Sequence, residues 1–348
     1  MAATKRGNRG SNGPTMVSVA ERAGVSKSLV SLVMRDSPRV SDASREAVLK
    51  AAQELGYRPN LIARGLAEKR TRTLGVLIFD LHNPFFAEVI DGLQEQAHED
   101  GYRLLIGTGR GRAEEEEEVL ESFLQQRVDG VVLLSPIVER SVLLGAAQEV
   151  STVIMARHGK LVAHADSVVT DDQAGTRLAV EHLIGLGHEA IAHIDGGEGA
   201  SALERRLGYE AAMADAGLTE LIRVEPGSFT DEGGHAAMQV LLAGEEPPTA
   251  VLAGNDLAAV GALTALEEHG LRVGEDLSLI GYDNSYLARI PHISLTSVAQ
   301  PRSEMGRLAF DAFKRRSANP NRRATRIVVE PKLVVRGSTG PRPSGAGR

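Results

Sequence analysis

From Thr73 onward one pattern repeats along the chain: a short, unbroken apolar run, a turn, then a longer stretch whose apolar positions recur three and four apart. The runs are "TLGVLIFD", "YRLLIGTG", "VDGVVLLSP", "STVIMAR", "HEAIAHIDG", "TAVLAGND" and "LSLIGYD". Continuous apolar runs bounded by turn residues are what parallel strands buried on both faces look like. Strands alternating with amphipathic helices predict doubly wound parallel sheets. About 260 residues of this texture are more than one sheet needs, so two lobes with a cleft between them are expected.

The pattern before Thr73 is different. "AERAGVSKSLVSLVMR" breaks at Gly24, the residue most tolerant of a positive φ. Thr15 or Ser18 can cap a helix running to about Ala23, with Val17, Val19, Ala20 and Ala23 available for packing. Ser26 then caps a second helix that turns Leu29, Val30 and Val33 inward and leaves Lys27, Ser28, Ser31 and Arg35 outside. In "SPRVSDASREAVLKAAQELGY" a turn at Ser37-Pro38 and a cap at Ser41 or Asp42 begin a third amphipathic helix, ended by Gly56. Two helices joined by a tight glycine turn, the second with a polar outer face, form the helix-turn-helix pattern, whose second helix fits the major groove of B-DNA.

Charge sharpens the division. The chain holds 39 Lys/Arg and 46 Asp/Glu for a net −7, yet residues 1–72 carry 14 and 6 of these, which makes that segment +8 and the remainder −15. A small basic module on an acidic body points to a polyanion partner for the module alone. Cysteine is absent, which excludes disulfides and thiolate metal sites. No apolar run is long enough to span a membrane, and the basic start "MAATKRGNRGSNGPT" lacks the apolar core of a signal peptide. Residues 1–15 read as a disordered arm and 337–348 as a disordered tail.

In open parallel sheets, ligands bind outside the carboxyl ends of the strands. The polar residues there are Asp80, His82 and Asn83 after the first strand, Arg157 after "STVIMA", Asn255 and Asp256 after "TAVLAG", and Asp283 after "LSLIGY". Arg205, in "ERRLGY", stands on the helix that follows "IAHIDGG". Planar guanidinium and carboxylate groups of this kind bind adjacent hydroxyls of a small polyhydroxylated ligand. Phe85, Phe86 and Tyr286 could cover its apolar face. Asp171 and Asp172 read as structural caps, while Asp256 is either a cap or a ligand contact. Gln300, in "TSVAQP", either touches ligand or holds a crossover between lobes. "GTGRGR" lacks the spacing of a dinucleotide loop, the glutamate run near Glu116 reads as a solvated helix face, and the histidines, with His188 read as packing, lack metal-site spacing. Neither a nucleophile elbow nor a locally paired acid–base set is present, so an enzyme reading has no support.

The two head motifs together resemble the lac-repressor (LacI) family of bacterial transcription regulators. The match is Ala20, Ala23, Gly24, Val25, Ser26, Val30 and Ser31, then Tyr57, Pro59, Asn60, Ala63, Arg64 and Leu66. The resemblance continues through "NPFFAEVIDGL", "VTDDQAGTRLAVEHLIGLGH", "ERRLGY", "AGNDLAAVGAL" and "SLIGYDNS", covering residues 16 to about 336. It implies a helix-turn-helix domain at 16–58, a hinge helix and linker at 59–72, and a two-lobed core at 73–336 resembling the type I periplasmic sugar-binding proteins. DNA contacts are implied for Thr15, Ser26, Lys27, Ser28, Leu29, Ser31, Leu32 and Arg35, with Lys27, Ser28 and Leu32 aimed at base edges. Asn60, Ala63, Arg64 and Leu66 would belong to the hinge, Leu66 wedging into the minor groove. Leu29 stands where the family usually has Thr, Leu32 where several relatives have a polar reader, and Arg35 where Asn is common. Effector contacts are implied for Arg205, Asn255 and Asp283, with Arg157 and Phe85 after them; Asp80, Asn83, Phe86 and Gln300 complete the expected site. The implied protein is a cytoplasmic repressor that binds double-stranded operator DNA as a homodimer and answers to a sugar-like effector, with no cofactor, metal or membrane partner. An exported sugar-binding protein would share the core but has no use for residues 16–67.

Overall fold

A computed structural model describes residues 14–35, 37–58 and 70–343. The chain divides into two compact units, residues 1–71 and 72–348.

The first unit is three helices, α1 (Met16–Ala23), α2 (Lys27–Met34) and α3 (Asp42–Leu55). Thr15 caps α1: its Oγ1 accepts the Ser18 amide at 3.2 Å, and Ser18 Oγ in turn accepts the Thr15 amide. Gly24 ends α1 at φ 66°, and Ser26 caps α2 by accepting the Leu29 amide at 3.1 Å. Ser41 and Gly56 bound α3 in the same way. Val19, Ala20, Val30, Val33, Val40, Val48, Ala51 and Ala52 make the core. An ion pair between Arg22 and Glu54 ties α1 to α3 across the surface.

The second unit holds two six-stranded sheets. Sheet A runs in the order β11-β5-β4-β3-β1-β2, from β1 (Thr73–Ile78), β2 (Arg103–Thr108), β3 (Gly130–Leu134), β4 (Ser151–Met155), β5 (Ala165–Thr170) and β11 (Arg326–Val329), all parallel. Sheet B runs β12-β10-β9-β8-β6-β7, from β6 (Ile191–Ile194), β7 (Arg223–Glu225), β8 (Ala250–Ala253), β9 (Ser278–Asp283), β10 (Thr296–Ala299) and β12 (Lys332–Val334). Only β12 is antiparallel to its neighbour. The helices of sheet A are α4 (Pro84–Glu99), α5 (Ala113–Gln125) and α6 (Arg140–Glu149); those of sheet B are α7 (Asp172–Gly185), α8 (Ala202–Asp215), α9 (Asp231–Ala243) and α10 (Asp256–Glu268). The chain then returns through α11 (Arg302–Ala318), which packs on α4 in the first lobe. It therefore crosses between lobes three times, after Thr170, Ala299 and Val329.

All seven apolar runs are strands; six are buried on both faces as central parallel strands should be, whereas β2, at the edge of sheet A, is half-buried to exposed along its length. The tail differs from expectation. Residues 337–343 lie along sheet B: Ser338 Oγ accepts the Thr296 amide at 2.8 Å and donates to Leu279 O at 2.6 Å, and the Gly340 and Arg342 amides donate to Ser278 Oγ and Leu186 O. Backbone and serine-hydroxyl hydrogen bonds, which need no apolar side chains, hold this Gly- and Pro-rich stretch.

Candidate functional site

In the head, Val30 and Val33 face the core, so helical spacing places Ser28, Ser31 and Arg35 on the opposite side of α2, with Leu32 at its margin. Lys27 and Ser28 are exposed; Ser31, Leu29 and Leu32 are half-buried, both leucines packing partly against the core. Arg35 lies back along the helix, donating from Nη2 to Ser31 Oγ at 2.8 Å and from Nε to Ser31 O at 3.1 Å. Thr15 and Ser26 spend their hydroxyls on caps, which fixes the start of each helix. The result is a polar, uncharged-to-basic helix face with small side chains at its N-terminal end, the shape that a major groove accepts. Asn60, Ala63, Arg64 and Leu66 lie outside the described residues.

In the core, a cluster of buried ionised groups forms at the carboxyl ends of the sheet B strands. Arg205 is its centre. From the first turn of α8 its Nε donates to Asp172 Oδ1 at 2.9 Å and its Nη1 to Gly254 O at 2.6 Å, while Nη2 lies 3.7 Å from Asp283 Oδ1. The guanidinium lies over the Tyr282 ring, 3.7 Å from its centroid, with the Phe229 ring at 5.3 Å. Asp172 Oδ2 also meets His158 Nε2, from the first lobe, at 2.7 Å. Burial works to raise the Asp172 carboxyl, but Arg205 and His158 overcome it and hold it below the usual range.

Asp283 is in a different electrostatic position. Its backbone has φ 107°, and its Oδ1 accepts Gln300 Nε2 at 2.7 Å. Burial, only partly offset by Arg205 and reinforced by Asp256, pushes it up to about 7. Burial likewise pushes Asp256 up to about 6, against hydrogen bonds from Ser297 Oγ at 2.5 Å and the Ser285 amide at 2.6 Å. Gln300 joins the lobes: its Oε1 accepts Thr170 Oγ1, at the end of β5, while its amide reaches Asp283, at the end of β9. Glu88, on α4, makes a second link, accepting from the Tyr286 amide at 3.1 Å, from Arg289 at 3.3 Å and from Arg302 Nε at 2.9 Å.

The structure thus brings Arg205, Asp283 and Gln300 together and gives other expected residues local tasks. Asn83 caps α4, accepting the Phe85 amide, and Asn255 caps α10, accepting the Ala258 amide while donating to Phe229 O at 3.1 Å. Phe85 and Phe86 are buried in the core of the first lobe, edge to face at 5.3 Å. Arg157 turns away and donates to Pro136 O and Val138 O. Asp80, at the end of β1, accepts the His82 amide. Asp171 is a cap, as expected, because it accepts the Ala174 amide. Asp172, read as a second cap, is instead the main partner of Arg205. One residue suffices to cap a helix, and that surplus in the doublet was the available signal. His158, Glu88, Tyr282 and Phe229 gave no such signal. Among the described residues no group of three or more His, Asp or Glu side chains could hold a metal, and no helix is long and apolar enough to cross a membrane.

A hydroxylated ligand displacing the contacts of Arg205 and Asp283 would find a buried cation, the carboxyl groups of Asp172 and Asp283 and the rings of Tyr282 and Phe229, on a chain that also carries a helix-turn-helix head. Known proteins combine these parts. Residues 15–60 match the bacterial regulatory proteins of the lacI family, and residues 180–339 match the periplasmic binding protein-like domain. The ribose operon repressor of Haemophilus influenzae is 36% identical over 330 residues, covering 93% of this chain and 98% of that protein. The transcriptional repressor PurR of Erwinia tasmaniensis is 35% identical, with 94% and 98% covered. The crystal structure of the lac repressor dimer bound to operator and the anti-inducer ONPF superposes with a TM-score of 0.83 at 28% identity, covering 94% of this chain and all of that one. With head, core and their order all shared at this identity, the chain belongs to the LacI family of bacterial regulatory proteins.

Proposed function

We propose that this protein is a cytoplasmic transcriptional repressor that binds a pseudo-palindromic operator as a homodimer, through the α2 face and the segment 59–72, and that a sugar or sugar derivative bound around Arg205 controls it. The observation that carries the effector half is the buried Arg205–Asp172–Asp283 cluster at the strand ends, linked to the first lobe by His158 and Gln300. A guanidinium beside carboxylates recognises vicinal hydroxyls by paired hydrogen bonds, and the aromatic rings of Tyr282 and Phe229 suit the apolar face of a sugar ring. The relative named for the ribose operon and the operator-bound lac repressor dimer support the same assignment. One head reads few base pairs, and two-fold pairing doubles the site. Ligand and operator need only a coupling of about 1–3 kcal/mol, acting reciprocally.

The test is fluorescence anisotropy with DNA flanking the protein's own gene, against scrambled DNA at stated salt. Specific binding is expected, and one of a panel of pentoses and hexoses should change its affinity. Arg205→Ala should abolish that response and leave operator affinity intact. Equal, salt-sensitive binding to both DNAs in the presence of every sugar would refute the proposal.

A further inference from the structure

Arg157 leads away from the cleft to a second cavity of about 200 Å³, on the α6 side of sheet A. Arg140, Arg157, His158, Lys160, Ser167 and Arg326 line it, over an apolar floor of Leu143, Ile154 and Val162. Asp166 also borders it, but strand alternation turns that carboxylate to the other face of β5, where Arg316, Arg322 and Thr325 hold it. Ser167 shares the cavity face with Ala165, which packs with Leu143, Ile154 and Val162. Its hydroxyl is buried, the residue only 5% exposed, and it has no hydrogen-bond partner. A buried hydroxyl left unpaired loses its hydration without compensation, and folded proteins tolerate few.

The three guanidinium groups are held by backbone carbonyls, while Lys160 is exposed. Arg140 donates to Lys160 O and Leu161 O, both at 2.6 Å, and Arg326 to Gly159 O, which together pin the loop between β4 and β5. Arg157 spends Nη1 on Pro136 O and Val138 O. Each guanidinium carries five N–H groups, so each retains donors. The acidic neighbours are fewer: Glu139, and Glu116, whose Oε2 accepts the Ile137 and Val138 amides and whose pKa burial raises. Arg140, Arg157, Lys160 and Arg326 thus bring four positive charges to a cavity with an unsatisfied hydroxyl, against Glu116 and Glu139, while Asp166 is already paired with Arg316 and Arg322 and Asp172 with Arg205. His158 lines this cavity and also meets Asp172, the partner of Arg205, so it touches both sites.

We infer that this cavity is a second ligand site, for a compact tetrahedral oxyanion: free phosphate or the phosphoryl group of a small metabolite. Ser167 and the guanidinium forks bind the oxygens, and His158 carries the occupancy to the cleft. The inference stands apart from the operator and sugar assignments. Isothermal titration of the full-length protein with inorganic phosphate, and separately with a phosphorylated hexose, at fixed ionic strength set by chloride, tests it. One bound anion per chain is expected. A phosphorylated hexose binding more tightly than phosphate identifies a metabolite as the natural occupant, and equal affinity identifies phosphate itself. The double change Arg140→Gln/Arg326→Gln should weaken binding by about tenfold or more. Ser167→Ala should weaken it without lowering the melting temperature in phosphate-free buffer, because the hydroxyl has no partner there to lose. Arg205→Ala should bind phosphate normally. Should the double variant fail to fold, Arg326→Gln alone, which removes one exposed side chain, carries the same comparison. Absence of binding up to millimolar phosphate, binding insensitive to Arg326→Gln and Ser167→Ala, or binding lost with Arg205→Ala would each overturn the inference.

Discussion

Replacing Asp283 with asparagine should stabilise this protein at alkaline pH and do little at acid pH. The Asp283 carboxyl is 3% exposed, accepts from Gln300 and has Arg205 at 3.7 Å, too far for a close ion pair. Burial and the neighbouring Asp256 push it up to about 7, against about 3.9 in an unfolded chain. A group whose folded pKa is raised favours folding fully below its unfolded value, and that contribution is lost as pH rises through the folded value. The window is therefore about pH 4 to 7. Three pKa units at about 1.4 kcal/mol each set a ceiling of roughly 4 kcal/mol on the penalty for ionising Asp283 in the fold. Because Asp256 shares the burden, about 2–4 kcal/mol is the expected range.

An asparagine side chain carries no charge at any pH, and its amide oxygen can still accept from Gln300. At pH 8 the Asp283→Asn variant should melt about 4–16 °C above the parent, at roughly 2–4 °C per kcal/mol for a unit of this size. At about pH 4.5 the two should agree to within about 1 kcal/mol. Scanning calorimetry of the core transition at both values, without sugar, reads the difference. An equal difference at both pH values, or a less stable variant at pH 8, would refute the electrostatic account. Sugar response should fall in the same variant, since binding sites commonly hold charge at the expense of stability.

Ser26→Ala removes the α2 cap and should cost the head about 1 kcal/mol, seen as faster amide exchange at Leu29 and weaker operator binding. Asp166→Ala leaves the buried Arg316 guanidinium without its partner and should destabilise the core by about 3–5 kcal/mol, whereas replacing both by apolar residues should recover much of the loss. The Asp166 carboxyl, which Arg316 and Thr325 hold below the usual range against burial, adds stability above about pH 4 that is lost on acidification, so the parent's acid transition should be steeper than that of the doubly apolar variant. Glu88→Gln weakens the link from α4 to Tyr286, Arg289 and Arg302, and should reduce sugar affinity about fivefold, or about 1 kcal/mol, in a direct titration while leaving operator affinity unchanged.

Much of this architecture is legible in one dimension because parallel strands are buried on both faces and so must be apolar throughout. The strands that escape sequence reading are those whose pairing is decided elsewhere. Ala165–Thr170 carries the polar pair Asp166-Ser167 in its first half and is strand because β4 and β11 flank it. Thr296–Ala299, Arg326–Val329 and Lys332–Val334 are short segments whose partners are distant in sequence. In the site, strand ends locate the right neighbourhood but do not sort its occupants. A strand end is also a helix start, and Asn83 and Asn255 satisfy the helix, whereas Arg205, a turn further on, reaches back to the cluster. Phe85 and Phe86 are ambiguous for a related reason: an aromatic in the first turn of α4 can face the sheet below it as readily as the cleft above, and both rings pack in the core of the first lobe.

The position of the cluster follows from the threefold crossing of the chain. Residues at a crossover belong to neither lobe's core and keep polar side chains, and Thr170, Gln300 and Glu330 all sit at such points. Gln300 spans the gap with one amide, its oxygen on the first lobe's Thr170 and its nitrogen on the second lobe's Asp283. Rotating either lobe must lengthen one of these bonds, and changing the charge of Asp283 must alter the other. A ligand that takes over the hydrogen bonds of Asp283 therefore acts on the same side chain that sets the lobe angle. Coupling requires no more than this, a ligand contact whose free energy differs between two lobe arrangements, and Gln300→Ala should uncouple the effector from the operator response without removing the Arg205–Asp172 pair on which the proposed sugar site is built.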